Sequence, residues 1–397
     1  MKRILILLFC FFLLPLPLYS VINSEDLVYL YEFLEENHPS FYNSIDESEA
    51  RAILEEEIAE AEKKQEDESS FFFSLQHIAS IPHDSHTSMA LTYELFLSEH
   101  VFPIVFDFFS DELVVVAIES YSSSFLSKTV DSINGVSVEE IISKAGEMIP
   151  HDNDVHLKLE LKNNYLSFAE FYAAIGIDSD DMRISFSDGT TLTLDKMSYS
   201  LFSSIDFAYL RNGYPDTLGM KNYYSAYKLP DSDALLINYH LCAEIPDYPF
   251  RDFALDVSHL IDEYEYGKIV IDLRYNSGGN SEVINPLVEV LKEKDVEVFV
   301  LIDEGTFSSA VLNALMLKNE LDAIFVGRPT GGSASHYGEI LSGTLPDSGL
   351  GFTYSTKFFD CGISGPLMPD ILIEKDIDDY INGVDTDLKA LGFLDVC

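Results

Sequence analysis

Basic residues are scarce in this chain. Its 397 residues carry 24 Lys and Arg against 68 Asp and Glu, a formal net charge of −44. Affinity for nucleic-acid phosphates rests on clustered Lys and Arg, so nucleic acid is excluded as a partner. The same field repels anionic membrane surfaces and strongly anionic substrates. Cysteine is sparse too: Cys10, Cys242, Cys361 and Cys397 stand alone, with no CxxC spacing, which removes a zinc knuckle or a thioredoxin-like site. The GxGxxG and GxxxxGK[ST] loops of nucleotide sites are missing. Beyond residue 20 no run approaches the roughly eighteen apolar residues of a membrane span. Disorder does not follow from the acidity, because 47% of the residues are hydrophobic and 13% aromatic, enough to build a sizeable core.

What is present begins with a leader. Lys2 and Arg3 precede the apolar run ILILLFCFFLLPLPLY, and Ser20 offers a small residue before Val21. This reads as a secretory signal peptide over 1–20, too short and too broken by Pro15 and Pro17 to be an anchor. Its removal takes Cys10 with it, leaves three cysteines and at most one internal disulfide, and places the mature protein outside the cytoplasm. Residues 21–95 are expected to be a helical domain, with Leu27, Leu30, Tyr31 and Leu34 at three- and four-residue steps and a second, Glu-rich helix presenting a solvated face. From 96 to 215 the period shortens towards two in VFPIVFDFF, ELVVVAI, RISFSD and TLTLD, around one helix, VEEIISKAGEMI. A turn signal, NGYP, suggests a linker near 212–215. From 216 to 397 strand and helix alternate, and KIVIDLR is apolar enough for a strand buried on both faces of a parallel sheet. The fold class is therefore α/β, with right-handed crossovers, behind a helical and a β-rich region.

Four segments could carry chemistry. In LIDEGTFSSAVLNALML a strand and a Gly-Thr turn lead Ser308 and Ser309 into the first turn of a helix, where unpaired amides and the helix dipole can support a nucleophile; simple capping is the plainer role. In KIVIDLRYNSGGN, Gly278 and Gly279 permit positive φ and bare N–H groups, suited to an oxyanion hole or only to a tight turn. In HIASIPHDSHTSM, His83 and His86 flank Asp84 and Ser85; a general base needs such an oriented histidine, and a zinc site lacks a third ligand. GRPTGGSASHYGE supplies Gly331, Gly332, His336 and Glu339 in what reads as a solvated loop.

Taken together, IVIDLRYNSGG, VLIDEGTFSSA, VGRPTGG and GPLMPDILIE resemble the S41 peptidases, the C-terminal-processing (tail-specific) and tricorn-like serine proteases. ENHPSFY, HDSHTSM and VDSINGVSVEEII extend the resemblance more weakly upstream, the last as a fragment of a degenerate PDZ-like region. It implies a ClpP/crotonase-like catalytic core, with Ser308 as nucleophile and an oxyanion hole from Ser309 and either Gly278 or Gly279. The lysine of tail-specific members does not carry over: Gly331, Gly332 and Ser333 stand in its place and the next lysine is Lys357. The tricorn-like Ser-His pair falls on Ser85 and His86, and the supporting carboxylate on Glu339, slightly favoured, or Asp360. The implied protein is an exported serine peptidase acting on peptide or protein substrates, without metal or cofactor. Two alternatives stay open: an inactive module of the same fold binding peptides or apolar ligands, and an acyl-CoA enzyme, which the acidity disfavours.

Overall fold

The computed structural model describes residues 24–63, 68–90, 100–211, 223–230 and 232–393. The leader, Cys10, Cys397, the 212–215 linker and the divisions at 95/96 and 215/216 lie outside these. Three helices open the fold, Ser24–Asn37, Glu47–Lys63 and Glu68–Ser80. Leu27, Leu30, Tyr31 and Leu34 are buried at the helical spacing read from the sequence. Strands Ile104–Phe109 and Glu112–Glu119 pair antiparallel, and a four-stranded sheet holds Val130–Ile133, Val136–Ser137, Asp181–Phe186 and Thr191–Asp195. One hydrophobic cluster joins both regions, from Leu27 and Phe72 to Ile118, Ile184 and Leu194. Two short helices, Asp154–Glu160 and Ala169–Ala174, were not expected from periodicity.

The α/β region is a six-stranded sheet whose order follows the sequence: Tyr224–Lys228, Ala234–Tyr239, Lys268–Asp272, Glu297–Ile302, Ile324–Gly327 and Ile371–Leu372. All neighbours are parallel except the first pair. Side chains alternate across it. Ile237, Ile269, Ile271, Val300 and Ile302 face the helices Phe250–Tyr264, Asn285–Lys292 and Ser309–Leu321, while Leu236, Val270, Leu301 and Val326 face the C-terminal Ile373, Leu388 and Phe393. Burial on both faces is why these strands read as continuous apolar runs.

One element corrects the sequence reading. The HYGE stretch, taken as a solvated loop, begins the strand His336–Thr344, which pairs with Gly351–Phe359 in a long hairpin. Residues 331–334 before it are buried, not solvated. The second hairpin strand also pairs with Ser88–Met89, in the register Ser88↔Thr353. At its turn, Asp347 and Ser348 donate backbone N–H bonds to buried Asp26 of the first helix. The hairpin thus ties the helical region, with the HDSH segment, to the α/β sheet. Among the described residues no helix is long and apolar enough to cross a membrane.

Candidate active site

Loops at the carboxyl ends of three parallel strands meet where open α/β sheets ordinarily bind ligands. Asp303, the first residue beyond Glu297–Ile302, draws two of them together: its Oδ1 accepts from Tyr275 N at 3.0 Å and Gly305 N at 2.9 Å. Thr306 Oγ1 donates to Leu273 O and Phe307 N to Asn276 O, each at 2.9 Å. The third loop joins through Gly332 N, 3.0 Å from Thr306 O. Burial, with the charge of Glu304 next, pushes the Asp303 carboxyl up to about 6, against the opposing charge of Arg328.

Ser308 and Ser309 separate cleanly. Ser308 precedes the helix Ser309–Leu321 with φ 52° and ψ −126°, and its hydroxyl makes no capping bond. A non-glycine residue there carries roughly 1–3 kcal/mol of strain, which persists only where the surroundings impose it. The strand–turn–helix setting matches the strained turn that exposes a nucleophilic serine in other hydrolases. Ser309, in contrast, is buried and donates its Oγ to Gly279 O at 2.6 Å. The free hydroxyl belongs to Ser308.

The glycine loop lies against this turn. A Cβ on Gly278, at φ 97°, would stand 2.7 Å from Ser308 Cβ and 2.9 Å from Ser309 N, and one on Gly279, at φ 128°, 2.4 Å from Cys242 O. Gly278 N–H is already committed, donating to Asn276 Oδ1 at 2.9 Å. Buried Asn276 in turn donates through Nδ2 to Tyr239 O at 2.7 Å. The N–H groups of Gly279 and Ser309 have no partner among the described residues. Of the two glycines suggested by the sequence, Gly279 is therefore the one with a free donor.

His86 arrives from 222 positions upstream, held by the hairpin. Its carbonyl accepts from Thr353 Oγ1 at 3.0 Å, and Ser355 N donates to the adjacent Thr87 Oγ1. The imidazole is buried and lies against Phe307, the residue before Ser308, with centroids 4.6 Å apart and planes at 26°. Its Nδ1 is 3.5 Å from Ser85 Oγ and 3.6 Å from Asp84 Oδ1. Its Nε2 is buried with no hydrogen-bond partner, so the bond to Ser308 is not made in this conformation. Unliganded sites often leave such bonds long.

The carboxylate beside the imidazole is Asp84, not Glu339 or Asp360. Glu339 is exposed, with its backbone carbonyl accepting from Thr356 Oγ1; Asp360 is exposed and accepts from Gly362 N. Asp84 is fully buried and accepts from His86 N, Thr87 Oγ1 and His38 Nε2. Burial acts to raise its pKa, but the hydrogen bonds from His38 and His86 and the charge of His86 outweigh it and hold the carboxyl far below the usual range. Asp152 also enters the site, accepting from Ser85 N at 2.9 Å, and Asn153 donates to Gly331 O and Ser333 Oγ. His336 stacks on His86. Asp84 stood within the motif and His336 within the HYGE stretch, there without a role, whereas no local pattern marked Asp152, which reaches the site only through tertiary contacts. Lys357 is exposed, its Nζ over the Phe359 ring. Cys242 and Cys361 are not bonded to each other, and Cys242 donates to Asn313 Oδ1 beneath the glycine loop. Among the described residues no group of three His, Cys, Asp or Glu side chains could hold a metal ion.

With this geometry in hand, comparison with solved structures gives mature CPAF complexed with lactacystin at a TM-score of 0.60, over 91% of this chain and 95% of that one, at 13% identity. The chain has the CPAF fold. A second structure of mature CPAF superposes at 0.57 with the same identity, over 91% and 94%. The photosystem II D1 C-terminal processing protease aligns over 92% and 98%, at 10% identity and a TM-score of 0.40, too loose to argue from. No protein-family model matches the chain. No curated protein matches it in sequence. The CPAF fold over nine-tenths of the chain agrees with the α/β fold class expected from the sequence.

Proposed function

We propose that the chain is an exported serine peptidase that hydrolyses peptide bonds through an acyl-enzyme on Ser308. One observation carries this reading: a strained serine with an uncommitted hydroxyl lies on a turn pressed against the glycine loop, where the Gly279 and Ser309 N–H groups are free, and the residue before it stacks on an imidazole whose buried Nε2 is unpartnered. In the reaction His86 takes the proton from Ser308 Oγ as Oγ bonds to the substrate carbonyl carbon. The oxyanion is received by the N–H groups of Gly279 and Ser309, each worth on the order of 10²–10³ in rate. Collapse of the tetrahedral adduct expels the amine, which takes the proton from His86; water, deprotonated by the same imidazole, then releases the acid and restores the serine. Asp84 and Ser85 orient the ring through Nδ1. The strongly acidic chain favours neutral or cationic peptides over anionic ones.

The test is labelling by a fluorophosphonate, with peptide mapping of the adduct, alongside hydrolysis of a fluorogenic peptide library. Labelling at Ser308 is expected, with loss in Ser308→Ala and a fall of at least 10³-fold in His86→Ala. Full activity in either variant would remove that residue from the mechanism. The unmade bond between His86 and Ser308 gives the second reading, an inactive module that binds peptides or apolar ligands, its footing. Tight peptide binding without turnover or labelling would establish it. Export is tested separately: the N-terminus of the mature protein is expected at Val21.

A further inference from the structure

His86 is not only flanked by Phe307. Rings form a column: His156 lies on Phe307 at 4.8 Å and 18°, His336 lies near His86 at 5.6 Å and 18°, and Phe359 backs His336 at 5.4 Å and 25°. His336 is buried, and its Nδ1 is 3.0 Å from Ser333 O and 3.2 Å from Ala334 O. Facing two carbonyls, Nδ1 must carry a proton, so the neutral ring has its lone pair on Nε2. We propose that His336 is a positioning residue for the proposed base: it holds the His86 ring in the plane set by Phe307, and it must be neutral for His86 to accept the serine proton. The second requirement is electrostatic, since two stacked imidazolium rings would repel across a site that excludes water.

The surroundings agree. Burial, and then the charge of His86, lower the His336 pKa, while Asp152 opposes. Other charged or titratable groups near the column are Asp84 and His38 beside His86, His156 beyond Phe307, and Glu339, Lys357 and Asp360 on or next to the hairpin. None of them stacks on His86 from the hairpin side. This inference rests on His86 being the base, so its test includes a reading independent of activity.

In Ser308→Ala protein, histidine Cε1–H NMR is expected to show that His336 titrates in a coupled way, at a pH that rises when the facing charge is removed in His86→Phe. In protein with Ser308 intact, the repulsion lets only one proton onto the pair, so the rate of fluorophosphonate labelling should fall with a slope of one proton on the acid side, and His336→Phe, which removes one of the two inactivating protonations, should move that fall to lower pH. His336→Ala should slow labelling at pH 8 at least tenfold, and His336→Phe, which restores a flat ring, should recover at least fivefold of that loss. Independent one-proton titrations in the NMR experiment, or equal labelling rates for the Ala and Phe variants, would overturn the proposal. Complete loss of labelling in folded His336→Phe would also overturn it, by making His336 the base. Coupled NMR titrations in a protein that is never labelled would instead uphold the pairing and reject the peptidase reading.

Discussion

At the scale of single residues, the site depends on Asp84 more than on any group that would touch substrate. Its two oxygens receive a backbone N–H, a hydroxyl and a ring nitrogen with no access to water. Truncation in Asp84→Ala strands all three, and unsatisfied buried groups cost about 1–3 kcal/mol each. A loss of at least about 3 kcal/mol in urea unfolding is expected, against about half that for Asp84→Asn, which keeps the shape. Because the folded carboxyl is held below its ordinary value of about 4, its stabilisation is complete above that pH and fades as pH falls below it. Wild type should therefore lose stability on acidification through this range more steeply than Asp84→Asn. Parallel pH curves for the two would show that Asp84 is not ionised in the fold. His336 acts at a higher pH: a buried histidine with a lowered pKa withdraws stability as pH falls below about 6.5.

At the scale of elements, the site consists of two backbone turns pressed together, and the glycine loop is the less forgiving one. In Gly278→Ala the new Cβ meets Ser308 Cβ and Ser309 N, one of them backbone, while φ 97° strains any side chain. The turns can relieve the clash only by separating, which moves the two free N–H groups apart. Fluorophosphonate labelling is expected to fall at least 100-fold, while unfolding free energy falls by about 1–3 kcal/mol; unchanged labelling would show that this loop does not line the reacting centre. These turns were legible in the sequence because glycine and serine at a strand–helix junction carry local meaning. The long strands and helices were legible from their apolar period. The hairpin was not: beyond Gly338 most of the outer strand is exposed, so HYGEILSGT shows no alternation. Helices of six or seven residues, such as Asp154–Glu160 and Ala169–Ala174, are too short for a period to register. His336 reaches the site at the start of this unread strand, and Asp152 just ahead of the helix Asp154–Glu160, so the sequence pointed for the carboxylate to Glu339 or Asp360 instead.

At the scale of the whole molecule, the scarcity of cations has a structural counterpart. Four of the 24 are gathered in one partly buried cluster. Lys162 bonds Asp107 at 2.6 Å and Glu304 at 3.3 Å, and Lys375 reaches the same two acids. Arg274 pairs with Asp272, Asp385 and Asp387, and Arg328 with Glu304 and Asp387. This cluster links the β-rich region, through Asp107 and Lys162, to Glu304 of the serine turn and to the C-terminal segment. Burial alone would raise the Glu304 carboxyl, but the charges of Lys375, Lys162 and Arg328 hold it well below its usual value. Two kinds of electrostatics therefore coexist, and salt separates them. The surplus of surface acid repels itself, so raising salt from about 0.01 M to about 0.15 M, which shortens the screening length from about 30 Å to about 8 Å, should raise the melting temperature of the wild type. Lys162→Met leaves Asp107 and Glu304 short of a partner in a largely enclosed site, and should cost about 1–3 kcal/mol. Lys63→Met, which removes only an exposed partner of Glu60, should change nothing measurable. The deficit of Lys162→Met is expected to persist at high salt while the whole melting curve moves up. If added salt erased that deficit, the cluster would be solvated in solution, and the acidic field would reach the serine turn itself.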